Sequence, residues 1–328
     1  MADTLFKLQS ADQLRRSITK KQQKEIRDLY VYVYNQVQKD IARLGKKKLD
    51  KHNLVALKTE IYNMIVSLNK DIENNVITNM TSISEEVVKD VRVYLSKCGF
   101  KDDDVQNAFI YVPKQVISTI TSGAIYQEGW TLSKAIWGNN KHIQDSLNKI
   151  IAIDTAQGKS AFEIAKDIER YVNPNARKPS KTIQSWVYDN KGNKVKETFR
   201  FGKVDYNAQR LARTLVSHAY QQTFEVTNRY DPFIIGYKWL TSNFHGRVCP
   251  ICRERAETDQ YGLGTGVFPK DELPLDHPNG MCTFEAVFEK TPKEIGEMID
   301  KWYNASTGTY PEIDKYALTF LDKIGGTK

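Results

Sequence analysis

Apolar residues recur every three or four positions along most of this chain, and that spacing predicts helix. Ile26, Leu29/Tyr30, Val33, Val37, Ile41 and Leu44 form one stripe in a helix expected over residues 10–46, with Ser10 as its cap and no proline or glycine before Gly45. A second helix is expected from about Leu54 to Met80, on the stripe Leu57, Ile61, Ile65, Leu68 and Ile72. A third starts at Ser84, with Glu85 and Glu86 at the positive end of its dipole, and stops near Gly99. Residues 105–122 read as a helix kinked or broken at Pro113. Residues 140–156 read as the next helix, and Ser160 with Glu163 is a capping box that starts another.

Past a Pro/Asn-rich break at 173–180 the pattern changes. Residues 182–188 and 194–201 are rich in Thr, Val, Trp, Tyr and Phe and flank the glycine-bearing turn 189–193, which predicts a β-hairpin. A helix is expected over 206–229, with Leu211, Leu215, Ala219 and Phe224 on its apolar face. Strands are expected at 236–241 and 282–288. Thr291, Pro292 and Glu294 mark the start of a helix ending near Asn304, and a linker at 306–309 leads to a terminal helix over 311–324. The expected fold class is therefore α+β, mostly α. Its expected parts are a helical domain over 1–174, an α+β domain over 175–305 with a hairpin and a clasped strand-loop-strand, and a linker with terminal helix over 306–328.

The net charge of +8 is uneven. Nearly all of it falls in the first 52 residues, and a second basic run, 177–213, has ten Lys/Arg against three Asp/Glu. Such concentrations attract nucleic acid, although a solvated helix face and a polar hairpin account for them equally simply. The candidate contacts are Arg15, Arg16, Lys20, Lys21, Lys46, Lys47, Lys48, Arg177, Lys178 and Lys181. No apolar run is long enough to span a membrane, and the first residues lack the apolar core of a signal peptide, so folding in a reducing cytoplasm is expected.

In that setting four cysteines favour metal over disulfides. Cys98 stands apart at a helix end and reads as a small buried hydrophobe. The other three cluster: Cys249-Pro-Ile-Cys252, a Gly-rich loop, then His277 and Cys282. A Cys-x-x-Cys turn offers two thiolates, and a second pair from the far end of a loop completes the tetrahedron that zinc prefers. Three thiolates and one imidazole leave no open position, which points to a structural zinc, not a catalytic one. The metal would also order a glycine-rich loop that burial could not. A redox dithiol and plain packing of the thiols stay open beside this, as does His245 as a substitute ligand. Asp276-His277-Pro278 near a Cys-x-x-Cys is also similar to the HNH-type nucleases, with Asp276, His277 and Asn279 as the acting residues. Those enzymes need a further helix bearing Asn and His, and no histidine follows His277. Phosphate-binding glycine loops, nucleophile elbows and His-Glu-x-x-His helices do not occur in the chain.

From Arg210 to Phe288 the chain resembles the Mu F-like head-morphogenesis family, the minor head proteins of tailed phages. The resemblance is carried by the helix from Arg213-Thr214 to Asn228, the strand Gly236-Tyr-Lys-Trp239-Leu-Thr241, Arg247-Val-Cys249-Pro-Ile-Cys252, and His277-Pro278-x-x-x-Cys282-x-Phe284. In that family an Arg-Thr helix precedes a Trp-bearing strand, Arg-x-Cys-x-x-Cys and a closing His-Pro-x-Cys-Arg-Cys. Gly280 stands here in place of the first closing cysteine, and His245-Gly246 replaces an acidic residue before Arg247. The resemblance implies a non-enzymatic, low-copy virion component. It would associate with the portal protein, contact packaged double-stranded DNA or other head proteins, and assist capsid assembly, DNA packaging or ejection. Its place would be the capsid interior near the portal, and the host cytoplasm during assembly. A DNA-binding protein of general function is the remaining alternative.

Overall fold

A computed structural model describes Phe6 and residues 8–43, 51–126, 129–172, 182–188, 194–200, 205–242 and 248–321. The helices are α1 (Gln9–Arg43), α2 (Lys51–Cys98), α3 (Asp102–Val105), α4 (Val112–Ser122), α5 (Leu132–Ala156), α6 (Ala161–Val172), α7 (Tyr206–Asn228), α8 (Pro250–Glu257), α9 (Pro292–Asn304) and α10 (Pro311–Leu321). The strands are β1 (Thr182–Tyr188), β2 (Lys194–Arg200), β3 (Ile234–Leu240), β4 (Val267–Phe268) and β5 (Thr283–Phe288). The fold is α+β and mostly α.

Most expected elements occur near their expected bounds, and the departures have local causes. The helices expected at 54–80 and 84–99 are one, α2. Ser84 suggested a helix start, because short hydroxyl side chains compete for backbone groups. Inside α2, Thr81 instead donates back to the Ile77 carbonyl (2.9 Å), and Ser84 accepts from the Thr223 hydroxyl (2.8 Å), so neither interrupts the ladder. Pro113 does break its helix. It sits in the first turn of α4, where a missing N–H costs nothing, and α3 stops after four residues. Helix α5 begins earlier than expected. Thr131 caps it by accepting from the Lys134 amide, and Gly138 is carried within it. Both expected capping boxes form, at Ser160/Glu163 and Thr291/Glu294.

The chain divides into two compact units that are not contiguous in sequence. One draws on Met1–Thr19, Ile77–Ile125 and Arg213–Lys328, the other on Lys20–Val76 and Tyr126–Ala212. These units cut across the sequence-linear division at 174/175 and 305/306, because α1, α2 and α7 each contribute residues to both. In the helical unit, β1 and β2 pair antiparallel from Thr182↔Arg200 to Tyr188↔Lys194, as strands of the expected hairpin would.

The other, the sheet unit, is built around an antiparallel sheet of order β4-β3-β5, with Trp239 opposite Phe284 and Tyr237 opposite Ala286. Helix α7 covers the sheet: Phe224 lies 4.9 Å from Tyr237, and Tyr220 6.4 Å from Phe284, ring centre to ring centre. Helix α10 is not peripheral. Phe320 meets Phe100 and Phe109 at 5.5 Å, and Tyr316 is fully buried, so the terminal helix belongs to this core. Cys98 is also fully buried, and burial pushes its thiol up to about 12, the inert packing residue expected of it. Among the described residues no helix is long and apolar enough to cross a membrane.

Candidate metal centre

The two halves of the cysteine motif come together in the sheet unit. Cys249 is the N-cap of α8, Pro250 opens the helix, and Cys252 follows within its first turn. That geometry turns the Cys252 amide onto the Cys249 sulfur at 3.3 Å. Burial opposes ionisation of Cys249, but the Cys252 amide and His277 together hold its thiol below the ordinary value. His277 arrives from the loop before β5, with Nε2 3.1 Å from the Cys249 sulfur. Its Nδ1 lies 3.0 Å from the Pro278 carbonyl, which can only accept, so Nδ1 donates there and Nε2 is the nitrogen turned to the cluster.

The ligand atoms form two overlapping groups, each with every pair of atoms within 4.8 Å: Cys249, Cys252 and His277, then Cys252, Asp276 and Cys282. Cys252 is the shared member. The four residues expected as ligands thus fall in these two groups, with no single group holding all four, and Asp276 belongs to the second. Cys252 and Cys282 are both pushed up, by burial first and then by the acidic groups around them, each thiol facing the other and the Asp276 carboxylate. A cation among them would relieve that crowding of anionic groups. The buried indole N–H of Trp239 has no oxygen or nitrogen acceptor and faces the Cys282 sulfur, a partner suited to a thiolate. The donor set and its surroundings fit a bound metal ion. A cavity of about 220 Å³ adjoins the cluster. A larger one, about 470 Å³, lies between α2 and α4 and has no cysteine or histidine on its walls.

Asp276 serves the loop. Its Oδ1 accepts from the His277 amide (2.9 Å) and its Oδ2 from the Cys282 amide (3.1 Å), so one carboxylate spans both ends of the closing motif. Gly280 makes room for it: a Cβ there would stand 2.2 Å from either carboxylate oxygen. Gly280 is thus a steric requirement of this loop.

Helix α7 holds the same loop from the other side, and nothing in the ligand spacing announced it. Arg213 donates to the Asn279 side chain, and the Thr214 hydroxyl accepts from the Asn279 amide at 2.9 Å. Ser217 donates to the Gly280 carbonyl (2.9 Å), and His218 Nε2 donates to the Asp276 carbonyl (2.9 Å). Gln221 accepts from the Asp276 amide (2.9 Å) and donates to the Pro274 carbonyl (3.0 Å). Burial lowers His218 and keeps it the neutral single donor this contact needs. The available signal was a polar stripe at helical spacing, 213/214, 217/218 and 221, on a helix whose neighbouring face is apolar.

The glycine-rich loop also has hydrogen bonds of its own. The Gly266 amide donates to the Thr258 carbonyl (2.9 Å), the Gly264 amide to Asp259 (3.2 Å), and the Gly266 carbonyl accepts from Trp239 (2.8 Å). Gly266, at φ +74°, also has the Ala256 carbonyl where a Cβ would sit.

The proposed nucleic-acid contacts fare unevenly. Arg15 is corrected outright: its side chain is 0% exposed and bound inside the sheet unit. Arg16 is half-buried and paired with Asp12 at 2.7 Å. Lys20 and Lys21 are exposed, the latter 3.3 Å from Glu25. Lys46, Lys47, Lys48, Arg177, Lys178 and Lys181 lie outside the described residues, as do His245 and Arg247. Comparison with protein-family models, with curated proteins and with solved structures found no match to this chain.

Proposed function

We propose that this chain is a minor head protein of a tailed phage, a non-enzymatic virion component that docks on the portal and carries a structural zinc. The observation behind the reading is the meeting of the resemblance-bearing residues at one place. Arg213 and Thr214 bind Asn279, next to His277-Pro278, while His277 faces Cys249 of the Cys-x-x-Cys turn. Motifs separated in sequence thus act on one loop, as parts of a single inherited unit would.

Zinc is favoured by the donors: two soft sulfurs and an imidazole with its Nε2 inward, and a third sulfur beside them. Cys282 is the better fourth ligand than Asp276, whose two oxygens already accept backbone amides. With the site closed by protein donors, zinc would cross-link α8 to the start of β5 and supply no chemistry. A nuclease reading draws no support from the cluster. Asp276 is committed to amides and Asn279 to Arg213 and Thr214, so neither is presented to a substrate.

Two measurements test the proposal. Elemental analysis should find about one zinc per chain, lost in Cys252→Ser. Co-expression with the portal protein of the same phage should recover a complex by size-exclusion chromatography. Zinc without a complex would leave the clasp and remove the portal role. Mg²⁺-dependent plasmid cleavage abolished by His277→Ala would replace the proposal with the nuclease.

A further inference from the structure

The side chain of Arg15 is entirely buried, yet it arises from the second turn of the first helix, far in sequence from the ligand loop that it touches. Its Nη1 donates to the Cys282 carbonyl (3.0 Å), and Nη2 to the Met281 carbonyl (3.1 Å) and to Asp12 (2.7 Å). The guanidinium lies 4.2 Å from the centre of the Tyr220 ring. One turn on, Thr19 donates to its own helix at the Arg15 carbonyl and sits 3.9 Å from the Met281 sulfur. The start of the chain is therefore fastened to the peptide groups of a metal-ligand candidate and its neighbour.

Two further contacts seat this N-terminal arm, residues 6–19. Phe6 stacks on Tyr94 at 4.7 Å and leans on Phe224 at 5.6 Å. The Ala11 amide donates to Asp90 at 2.9 Å. Neither depends on the clasp, whereas the Arg15 contact does. A buried guanidinium is held by its acceptors, and two of the three that Arg15 has are carbonyls whose positions follow Cys282.

We propose that Arg15 couples the metal centre to the N-terminal arm: with the clasp closed the arm is docked, and with the metal withdrawn it detaches. This rests on the metal reading above. Linkage makes the coupling reciprocal, so a docked arm must tighten metal binding by the same factor that the metal protects the arm.

The test is amide hydrogen exchange on the full chain, zinc-loaded and after chelation, with zinc content measured on the same samples. Exchange in α1 residues 9–19 should rise on the order of tenfold when zinc is removed, while α9 stays protected. Arg15→Met should expose the arm with zinc still bound and weaken zinc affinity by a matching factor in a chelator competition. Phe6→Ala frees the arm from its other end and should weaken zinc by a similar factor; it serves if Arg15→Met does not fold. Zinc that binds and leaves without changing exchange at 9–19 overturns the coupling and spares the metal centre. A folded chain that takes up no zinc overturns both.

Discussion

The two units bury polar groups to different ends. In the helical unit buried polar side chains mostly meet one another: Tyr30 with Asn140 (2.6 Å), Asn140 with Asn69 (2.6 Å), and Asp205 with Arg27 (3.3 Å) and Gln209 (2.6 Å). All but the Asp205–Gln209 pair, which lies at the start of α7, join one helix to another. In the sheet unit, Arg15, Ser217, His218 and Gln221 meet backbone instead, and all of it lies between Pro274 and Cys282. Many donors converging on one loop hold it more tightly than scattered pairs hold a helix. Breaking one of them should therefore affect the whole loop.

The largest expected contrast comes from Cys252→Ser. Removing the residue common to both ligand groups should lower stability by roughly 4 kcal/mol or more in zinc-containing buffer, with loss of bound zinc, by thermal or urea unfolding. A smaller loss would mean that the loop is held by its hydrogen bonds alone.

Gly280→Ala comes next. A Cβ 2.2 Å from the carboxylate must displace Asp276 and its two amide bonds, at a cost of about 3 kcal/mol. Gly138→Ala, in a helix of the other unit with nothing within 4 Å of the new methyl, should instead stabilise by about 0.5–1 kcal/mol. Equal effects at the two positions would erase the contrast.

Stability should also depend on pH through the sheet unit. Burial raises Glu225 to about 7 and Asp231 to about 6, although Gln221 and Gln222 for the first, and Tyr94 for the second, favour the ionised form. Between the ordinary carboxylate range and those values the folded state holds more protons than the unfolded chain, so stability falls as pH rises through that window. Glu225→Gln should remove much of the slope and gain on the order of 2 kcal/mol at pH 8 relative to wild type. A parallel pH profile in the variant would show that Glu225 does not carry it.

Tyr30→Phe tests the helical unit and should have the smallest cost, about 1–2 kcal/mol for the acceptor left buried on Asn140. Zinc content should not change. A change would mean that the two units do not bury polar groups for separate ends.

The sequence was most legible where the cause is local. Capping boxes, the turn-flanking strands of the hairpin and the helical stripes depend on residues within a few positions of each other, and these formed near their expected places. The ligand set was legible for the same reason, since Cys-x-x-Cys and His-x4-Cys each close over a few residues. Ser84 misled because a hydroxyl can cap a helix or sit within one, and it meets its partner, Thr223, from 139 positions away.

By itself, then, the sequence determined the helices, the hairpin and the four metal-ligand candidates, all properties of spacing along the backbone. Only the tertiary structure decided that α10 completes the sheet unit's core, that Gly280 yields its Cβ space to Asp276, and that α7 grips the ligand loop. It alone turned Arg15 from an expected DNA contact into a buried tie on the Cys282 peptide, because a charge shows in the sequence and the carbonyls that satisfy it, 266 and 267 positions away, do not.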